Sequence, residues 1–408
     1  MKMTKRLLSL VLVLFMLIGM FPAQANAATT GAEHDHSETA DVQPQATSDA
    51  VKVEHNGTTT YYADLQKAFD GFAPSNNAYG GKYVVTLLGD VSGNLSKNLQ
   101  YPTEVLDITL DLNGHAIIGD GTAIAVSINM GVGSTAQAGA GTFTLKDSSG
   151  DNSGKITGGK GGIYVYGKDV IFYFQSGTIT GNHGASKGGG ILVGDTTKFV
   201  MTGGVVTGNS VTGSSSANSG YGGGVLSNFC EITGGEITGN VAYKGSHVQS
   251  GRGGGLATNI TGTTGYKSLT IADGVIYGNT AENAGDDVMA QGNGSGKFSL
   301  FVGTENWFID GWNGTKATSG NGETARYDEL DPVPYTDGGF VDVSNKTVGL
   351  KYVEDPYDGP IYAITYTDGV DGEEIFADQT YKGRPDKATP RFQGHSLPCW
   401  LCLRRLVP

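Results

Sequence analysis

The sequence predicts an all-β protein built as a solenoid of short, stacked strands. The prediction rests on a phrase that recurs along the body, on glycine clusters that recur between its copies, and on the shortness of the apolar runs. Such short runs cannot form independent sheets, whereas stacked copies bury together what one copy cannot. The interspersed glycines supply the positive φ angles that corners between strands require.

The recurring phrase marks one strand and one corner in each coil. Its copies are "GTITGN" at 177–182, "GVVTGN" at 204–209, "GEITGN" at 235–240 and "GVIYGN" at 274–279, with "GKITGG" at 154–159 departing at its last position. Between them lie "GGGILV" from Gly188, "GGGVLS" from Gly222 and "GGGLAT" from Gly253, preceded by "GGIYV" from Gly161. The pattern predicts two short strands and two glycine-marked corners per coil.

The asparagine that ends each full phrase is predicted to be structural. Asparagine tolerates the left-handed conformation, and stacked side-chain amides can hydrogen-bond from coil to coil. The sequence therefore predicts a structural ladder of Asn182, Asn209, Asn240 and Asn279.

The spacing of these asparagines predicts loops on one face of the solenoid. They are 27, 31 and 39 residues apart, whereas a bare coil needs roughly 20–25 residues. The surplus is expected to leave as the loops 183–187, 210–221 and 241–252, and loops on a rigid scaffold commonly bind. The predicted contact residues are Tyr221, Tyr243, His247 and Arg252. Solvated linkers remain an open alternative for the same loops.

The N-terminus predicts export. Lys2, Lys5 and Arg6 precede an apolar run, and Ala25-Asn26-Ala27 is typical of a cleavage site, so residues 1–27 are expected to be a signal peptide. The formal net charge is −13. An acidic surface disfavours nucleic acid and anionic lipid as partners. We expect an extracellular protein with no membrane insertion after cleavage of the signal.

The flanks of the solenoid have their own predicted roles. Residues 28–50 lack aromatic residues and are expected to be a disordered linker, in which the histidines of "HDH" at 34–36 make at most a weak metal site. In "YADLQKAFDGF" an apolar stripe at helical spacing predicts a short capping helix; the stripe is Leu65, Ala68, Phe69 and Phe72. The solenoid is expected over 51–300, and a cap or linker over 301–360.

Three phrases together carry a resemblance to a known family. "DLNGHAI" at 111–117 and the "GGGILV" and "GGVVTGN" phrases resemble the right-handed parallel β-helix of pectin-lyase-like proteins, specifically exported adhesin-like members in Gram-positive bacteria. The resemblance covers roughly residues 50–300 and implies a rigid spacer or display platform. Fold does not by itself assign function, and glycans or host and cell-surface proteins are the expected partners.

The C-terminal segment resembles a different module. "YAITYTDGVDGEEIFADQTY" at 362–381 and "ATPRFQG" at 388–394 resemble the first half of an internalin-type B repeat, so residues 361–408 are expected to be an incomplete β-grasp-like module. Read one base out of register, residues 395–408 permit the missing closing strand. We therefore expect a frameshifted tail, in which the pair Cys399 and Cys402 is accidental, and attachment to the cell wall if the intact gene carries an anchor.

Catalysis is the alternative that the residues support less well. A lyase needs a cation and a base, yet Arg252 stands in a glycine-rich corner. An inverting hydrolase needs two separated carboxylates; Asp286-Asp287 follows the last repeat, and Asp195 and Asp273 stand alone in turns. No cofactor motif is present, calcium at scattered aspartates remains open, and Cys230 is expected to be buried. A non-catalytic adhesin-like protein is predicted, with a polysaccharide lyase or glycoside hydrolase as the alternative.

Overall fold

The protein is described here by a computed structural model. It describes residues 49–72, 80–99, 105–130, 141–216, 219–247, 250–258, 268–272 and 274–291, and short strands between 299 and 383. Across these residues the fold is mostly β with one helix, and every ladder between strands within 81–291 is parallel. This arrangement is compatible with a β-helix or solenoid-like fold.

An antiparallel hairpin and a helix cover the N-terminal edge of the parallel strands. The elements are β1 (Val51–His55), β2 (Thr58–Tyr62) and α1 (Leu65–Phe72). Strand β1 pairs antiparallel with both β2 and the first strand of the repeats. Strand β1 thus covers the edge of the parallel strands, and β2 becomes the outer strand of the sheet.

Helix α1 lies on this edge with its apolar stripe inward. Asp64 is its N-cap, because its Oδ1 accepts a hydrogen bond of 2.7 Å from the Lys67 amide. Leu65, Ala68 and Phe69 are buried, as the helical spacing predicts, whereas the side chain of Phe72 lies outside those that the structure describes.

The body consists of repeat units that follow one another along the chain. Unit 1 holds β3 (Gly81–Leu87), β4 (Val91–Ser92) and β5 (Leu95–Leu99); unit 2 holds β6 (Leu106–Asp111), β7 (Ala116–Ile118) and β8 (Val126–Met130); unit 3 holds β9 (Gly141–Lys146), β10 (Lys155–Thr157) and β11 (Ile163–Tyr166). Unit 4 holds β12 (Val170–Phe174), β13 (Thr178–Thr180), β14 (His183–Gly184) and β15 (Ile191–Val193); unit 5 holds β16 (Lys198–Thr207), β17 (Ser210–Thr212) and β18 (Val225–Leu226). Unit 6 holds β19 (Phe229–Thr238), β20 (Val241–Tyr243) and β21 (Leu256–Ala257); unit 7 holds β22 (Ser268–Ile271), β23 (Val275–Tyr277), β24 (Thr280–Ala281) and β25 (Val288–Gln291).

Equivalent strands of successive units pair in parallel and form rows. Row 1 runs through β3, β6, β9, β12, β16, β19 and β22. Row 2 runs through β4, β7, β10, β13, the later parts of β16 and β19, and β23. Row 3 is β14, β17, β20 and β24, and row 4 is β5, β8, β11, β15, β18, β21 and β25. The phrase pattern identified rows 2 and 4 and missed the strands of rows 1 and 3.

The core lies between the rows, where similar side chains of successive units stack on each other. In row 2, Ile179 pairs with Val206, which pairs with Ile237, and all three are fully buried. In row 1, the ring centroids of Phe172 and Phe199 are 5.2 Å apart. Cross-strand aliphatic and aromatic pairs of this kind stabilise neighbouring strands.

Antiparallel strands cover the C-terminal edge. They follow in chain order as β26 (Ser299–Phe301), β27 (Trp307–Thr315), β28 (Asp331–Pro332), β29 (Phe340–Asp342) and β30 (Lys346–Tyr352). Strand β26 extends row 1 and is covered by β29, while β30 covers β25 at the end of row 4. Farther on, β31 (Tyr362–Tyr366) and β32 (Gln379–Gly383) pair with each other. The tail 395–408 lies outside the described residues.

Candidate binding surface

The stacked loops are the described residues of the segments 213–220 and 244–251, which connect row 3 to row 4 in units 5 and 6; residues 217–218 and 248–249 lie outside the described residues. Each loop is closed by one buried serine. Ser219 Oγ accepts from the Ser214 amide at 2.8 Å and donates to the Ser216 carbonyl at 2.7 Å. Ser250 Oγ does the same between Gly245 and His247, at 2.7 Å each. Two loops of different sequence therefore have the same internal geometry.

Backbone hydrogen bonds hold one loop on the other. The Gly213 amide donates to the Tyr243 carbonyl at 2.9 Å, and the His247 amide donates to the Ser214 carbonyl at 3.2 Å. Loop segments that share backbone bonds with a neighbouring repeat are positioned by the scaffold rather than free in solvent. The stacked loops thus form one ordered ledge.

Tyr243, the last residue of β20, lies next to this ledge, and His247 lies within it. Tyr243 is 43% exposed and pairs with Thr212 of the preceding unit, and His247 is half-buried. Beside them the Lys244 amide donates to Glu282 Oε2 at 2.6 Å. An exposed tyrosine, an imidazole and a carboxylate on a fixed ledge can together contact a polar partner.

Tyr221 and Arg252, the other two predicted contact residues, lie inside. Each is only 1% exposed. Arg252 Nη1 donates to Tyr221 Oη at 3.3 Å, and the guanidinium lies 5.8 Å from the centre of the tyrosine ring. The prediction that they contact a partner at the surface therefore needs correction. The sequence misleads here because glycines around Arg252 indicate a flexible corner, whereas the corner is packed.

The buried pair supports the loops from below. Residues 187, 221, 252 and 284, one from each of units 4 to 7, are joined by single parallel bridges. Tyr221 packs in a small apolar cluster whose other members are Leu226, Ala257, Ala284 and Met289. Burial lowers the pKa of Arg252 to about 10, although the adjacent Tyr221 acts to raise it. The guanidinium remains charged at neutral pH.

The four predicted asparagines form a continuous hydrogen-bonded ladder. Asn182 Nδ2 donates to Asn209 Oδ1 at 2.9 Å, and the same bond joins Asn209 to Asn240 and Asn240 to Asn279, each at 3.0 Å. Each Nδ2 also donates to a backbone carbonyl of its own unit and to one of the preceding unit. The amides therefore satisfy corner groups that are buried away from water.

The glycine triplets and the asparagine ladder fit together. A Cβ added to Gly224, the third glycine of its triplet, would lie 2.9 Å from Asn240 Nδ2 and 2.7 Å from the Gly255 carbonyl oxygen. The first glycine of the same triplet, Gly222, has a φ of 70°. The triplets are thus required by close approach to the ladder as well as by corner geometry.

Asp287 terminates the ladder, and Asp286 lies beside it in the chain. They occupy the places of the second and third glycines of a triplet, in "GDD" at 285–287. Asp287 Oδ1 accepts from Asn279 Nδ2 at 2.9 Å, where the next asparagine of a ladder would stand, and its Oδ2 accepts from the Tyr352 amide at 2.8 Å. Asp286 accepts from the Ala281 amide and from Lys351 Nζ at 3.0 Å.

Asp287 is buried, and its pKa differs from the ordinary value. Burial raises the pKa of Asp287 to about 6, although hydrogen bonds from Asn279 and Tyr352 act to lower it. A raised carboxylate pKa is common at catalytic sites but also arises in structural networks. Because both oxygens are taken up by backbone and ladder contacts, the contacts here are structural. Alignment of "GDD" with "GGG" is the sequence signal that would have found this role.

The other predicted residues contribute little to a site. Asp195 Oδ1 accepts from Asn228 Nδ2 at 2.8 Å, whereas Asp273 lies outside the described residues, as do His34, His36, Cys399 and Cys402. Cys230 is buried, and burial raises the pKa of its thiol far above the ordinary range. In the described ranges, no group of three or more histidine, cysteine or acidic side chains is arranged to hold a metal ion.

The fold and the surface define a class of protein in coarse terms, a mostly β chain with parallel sheets and an ordered ledge of loops. Comparison with protein families, with curated proteins and with solved structures finds no match. Of the described helical segments, none has the length and apolar character needed to cross a bilayer.

Proposed function

We propose that the rows are the faces of a right-handed parallel β-helix and that the protein is an exported, adhesin-like surface protein without catalytic activity. Support for the fold comes from the register of the rows, in which each unit pairs with the units before and after it. Support for a rigid spacer comes from the asparagine ladder and from the covered edges at both ends. Export rests on the N-terminal signal predicted from the sequence.

The proposed binding role rests on one observation: hydrogen bonds hold the stacked loops in a defined conformation. Two loops that share the closing Ser-Gly but differ at most other positions adopt the same serine-closed geometry, and the exposed Tyr243 and half-buried His247 lie at the second of them. Solvated linkers need no such closure. A rigid surface loses less conformational entropy when it binds a partner, so the ledge suits contact with a host or bacterial surface.

The alternative is a polysaccharide-active enzyme of the pectin-lyase-like class. Arg252 packs on Tyr221, Asp287 caps the ladder, and Asp286 accepts from the Ala281 amide. A lyase or hydrolase would therefore have to use groups other than these three. The proposal accordingly assigns the long loops to contact and the interior residues to support.

Adhesion and turnover assays on the full chain test this proposal. Beads coated with the chain are expected to adhere to intact cells, and Tyr243→Ala with His247→Ala should lower adhesion about tenfold. Tyr277→Ala is the matched control, because Tyr277 is similarly exposed at 38% but lies in row 2. If the double variant adhered as well as the wild-type chain, the stacked loops would not be the binding surface. Release of unsaturated or reducing sugars from uronate polymers would establish the enzyme alternative instead.

A further inference from the structure

The outward face of row 4 changes character along its length. In its early units it carries two lines of side chains in register. One line runs Ser96, Ser127, Tyr164, and the other runs Asn98, Asn129, Tyr166. In the later units the same face carries Leu226, Ala257 and Met289, which are covered by the apolar cluster around Tyr221. The two tyrosines therefore stand where the covered part of the face gives way to an open, polar part.

The tyrosine rings form a fixed pair. Their centroids are 6.3 Å apart and their planes differ by 24°. Tyr166 is 36% exposed and Tyr164 is half-buried. A Cβ added to Gly194 of the next unit would overlap the Tyr166 ring. The ring thus occupies the space that a side chain at position 194 would fill, and the absence of that side chain sets its orientation.

The charges around the pair do not favour an anion. Asp195 is exposed beside Tyr164 and is held by Asn228. Burial raises the pKa of Tyr164, and the neighbouring Tyr166 and Asp195 raise it further. Lys168 and Asp169, which follow Tyr166, carry opposite charges. With a chain charge of −13, the surface disfavours uronates and other polyanions.

We propose that Tyr164 and Tyr166, with the serines and asparagines in line with them, form a sugar platform that binds an uncharged polysaccharide. The C–H face of a pyranose ring is apolar, and its hydrogens complement the negative face of an aromatic ring. Hydroxyl groups at the sugar edge can exchange hydrogen bonds with side-chain amides and hydroxyls. Ser96, Asn98 and Ser127 supply these groups along the two lines, whereas the side-chain oxygen of Asn129 is buried.

A polysaccharide fits the platform better than a folded protein does. A stable protein interface buries about 800 Å² on each partner, and two tyrosine rings with small polar neighbours provide no large apolar centre for one. An extended chain needs only ring contacts and a line of polar groups, which is what the face offers. The sugar platform rests on the binding role proposed above, but it lies in row 4 and does not use the stacked loops.

Affinity electrophoresis of the full chain tests the sugar platform. The gels contain galactomannan, hydroxyethylcellulose or soluble starch, with polygalacturonate as the charged polymer. At least one neutral polymer is expected to retard the wild-type chain. Tyr164→Ala and Tyr166→Ala should each weaken binding about tenfold, and Gly194→Val should do so by displacing the Tyr166 ring. Tyr166→Phe keeps the ring and should bind within about twofold of wild type.

Two controls make the test specific for the tyrosine pair. Tyr277→Ala, which removes an exposed tyrosine of row 2, should leave retardation unchanged, and circular dichroism melts report whether each variant is folded. The bead assay on the double loop variant reads out the loop surface separately. If the Tyr164→Ala variant does not fold, the test rests on the Tyr166→Ala and Gly194→Val variants, because Tyr166 is exposed and its replacement should leave the fold intact. The sugar platform is overturned if no neutral polymer retards the chain, if only polygalacturonate does, or if the folded tyrosine variants bind as wild type. A dimer that Tyr166→Ala dissolves would also overturn it, since a second copy would then cover the face.

Discussion

Early and late units hold their corners with different chemistry. In units 2 and 3 the corners after row 1 are acidic corners, built on Asp111 and Asp147. Asp147 accepts from the amides of Gly114, Ser149 and Gly154 at 2.8, 3.1 and 2.7 Å. In units 4 to 7 the corners after row 2 are held by the neutral asparagine ladder. An aspartate carboxylate can only accept hydrogen bonds, so each acidic corner is held by several backbone amides that donate to it. An asparagine side chain both accepts and donates, so a chain of asparagine hydrogen bonds can continue from unit to unit.

This difference predicts opposite responses to pH in the two regions. Burial acts to raise the pKa of Asp147, but hydrogen bonds from the Gly154, Ser149 and Gly114 amides outweigh it and lower the pKa. The Asp287 pKa is raised instead. Acid should therefore weaken the acidic corners, while the end of the ladder should be weakened as the pH rises.

The largest expected effect comes from breaking the ladder in its middle. Asn240→Ala removes the bonds to Asn209 and Asn279 and leaves the Val206 carbonyl without its side-chain donor. Because these groups are buried, we expect a loss of about 3 to 5 kcal/mol in the free energy of unfolding. Urea denaturation measures it. Thr212→Ala, at an exposed position, should change it by less than about 0.5 kcal/mol. A loss no larger than that of the control would contradict a cooperative ladder.

The next effect is the pH dependence set by Asp287. Its folded pKa of about 6 exceeds the ordinary value of 3.8, so the folded state binds the proton more tightly. This stabilisation is full below the unfolded pKa and is lost as the pH rises through the folded pKa, by up to about 3 kcal/mol. Asp287→Asn should abolish that slope in urea midpoints measured between these pKa values, while Asp195→Asn should keep it. An unchanged slope in Asp287→Asn would assign the titration to another group.

The smallest effect is expected at the acidic corner. Asp147→Asn replaces an acceptor with a group that is also a donor, so it should lose about 1 to 2 kcal/mol at neutral pH. Since the folded pKa is lowered, the wild-type advantage should be present above the unfolded pKa and vanish as the pH falls through the folded pKa. Urea denaturation at neutral and strongly acid pH measures this. An advantage that persisted in strong acid would mean that the carboxylate charge is not what holds the corner.

Much of the repeat architecture could be predicted from the sequence, because stacked units need the same residue types at equivalent strand and corner positions. The asparagine that ends each full phrase lies where the spacing predicts it, and so do Leu65, Ala68 and Phe69 of the α1 stripe. The strands of row 3 were missed because "SVT" and "VAY" are too short to show a period. Arg252 was misjudged because burial of a guanidinium depends on Tyr221, which stands 31 positions earlier in the chain.

The sequence by itself determined the mostly β character, the repeated corners and the positions of the ladder residues, since glycine, asparagine and short apolar runs act locally. The tertiary structure decided which loop residues are exposed, how the ladder ends on Asp287, and that Tyr164 and Tyr166 share an open face beside Gly194. These features depend on which units become neighbours. Contacts between units join residues about 30 positions apart, and local sequence pattern carries no information about burial at that range.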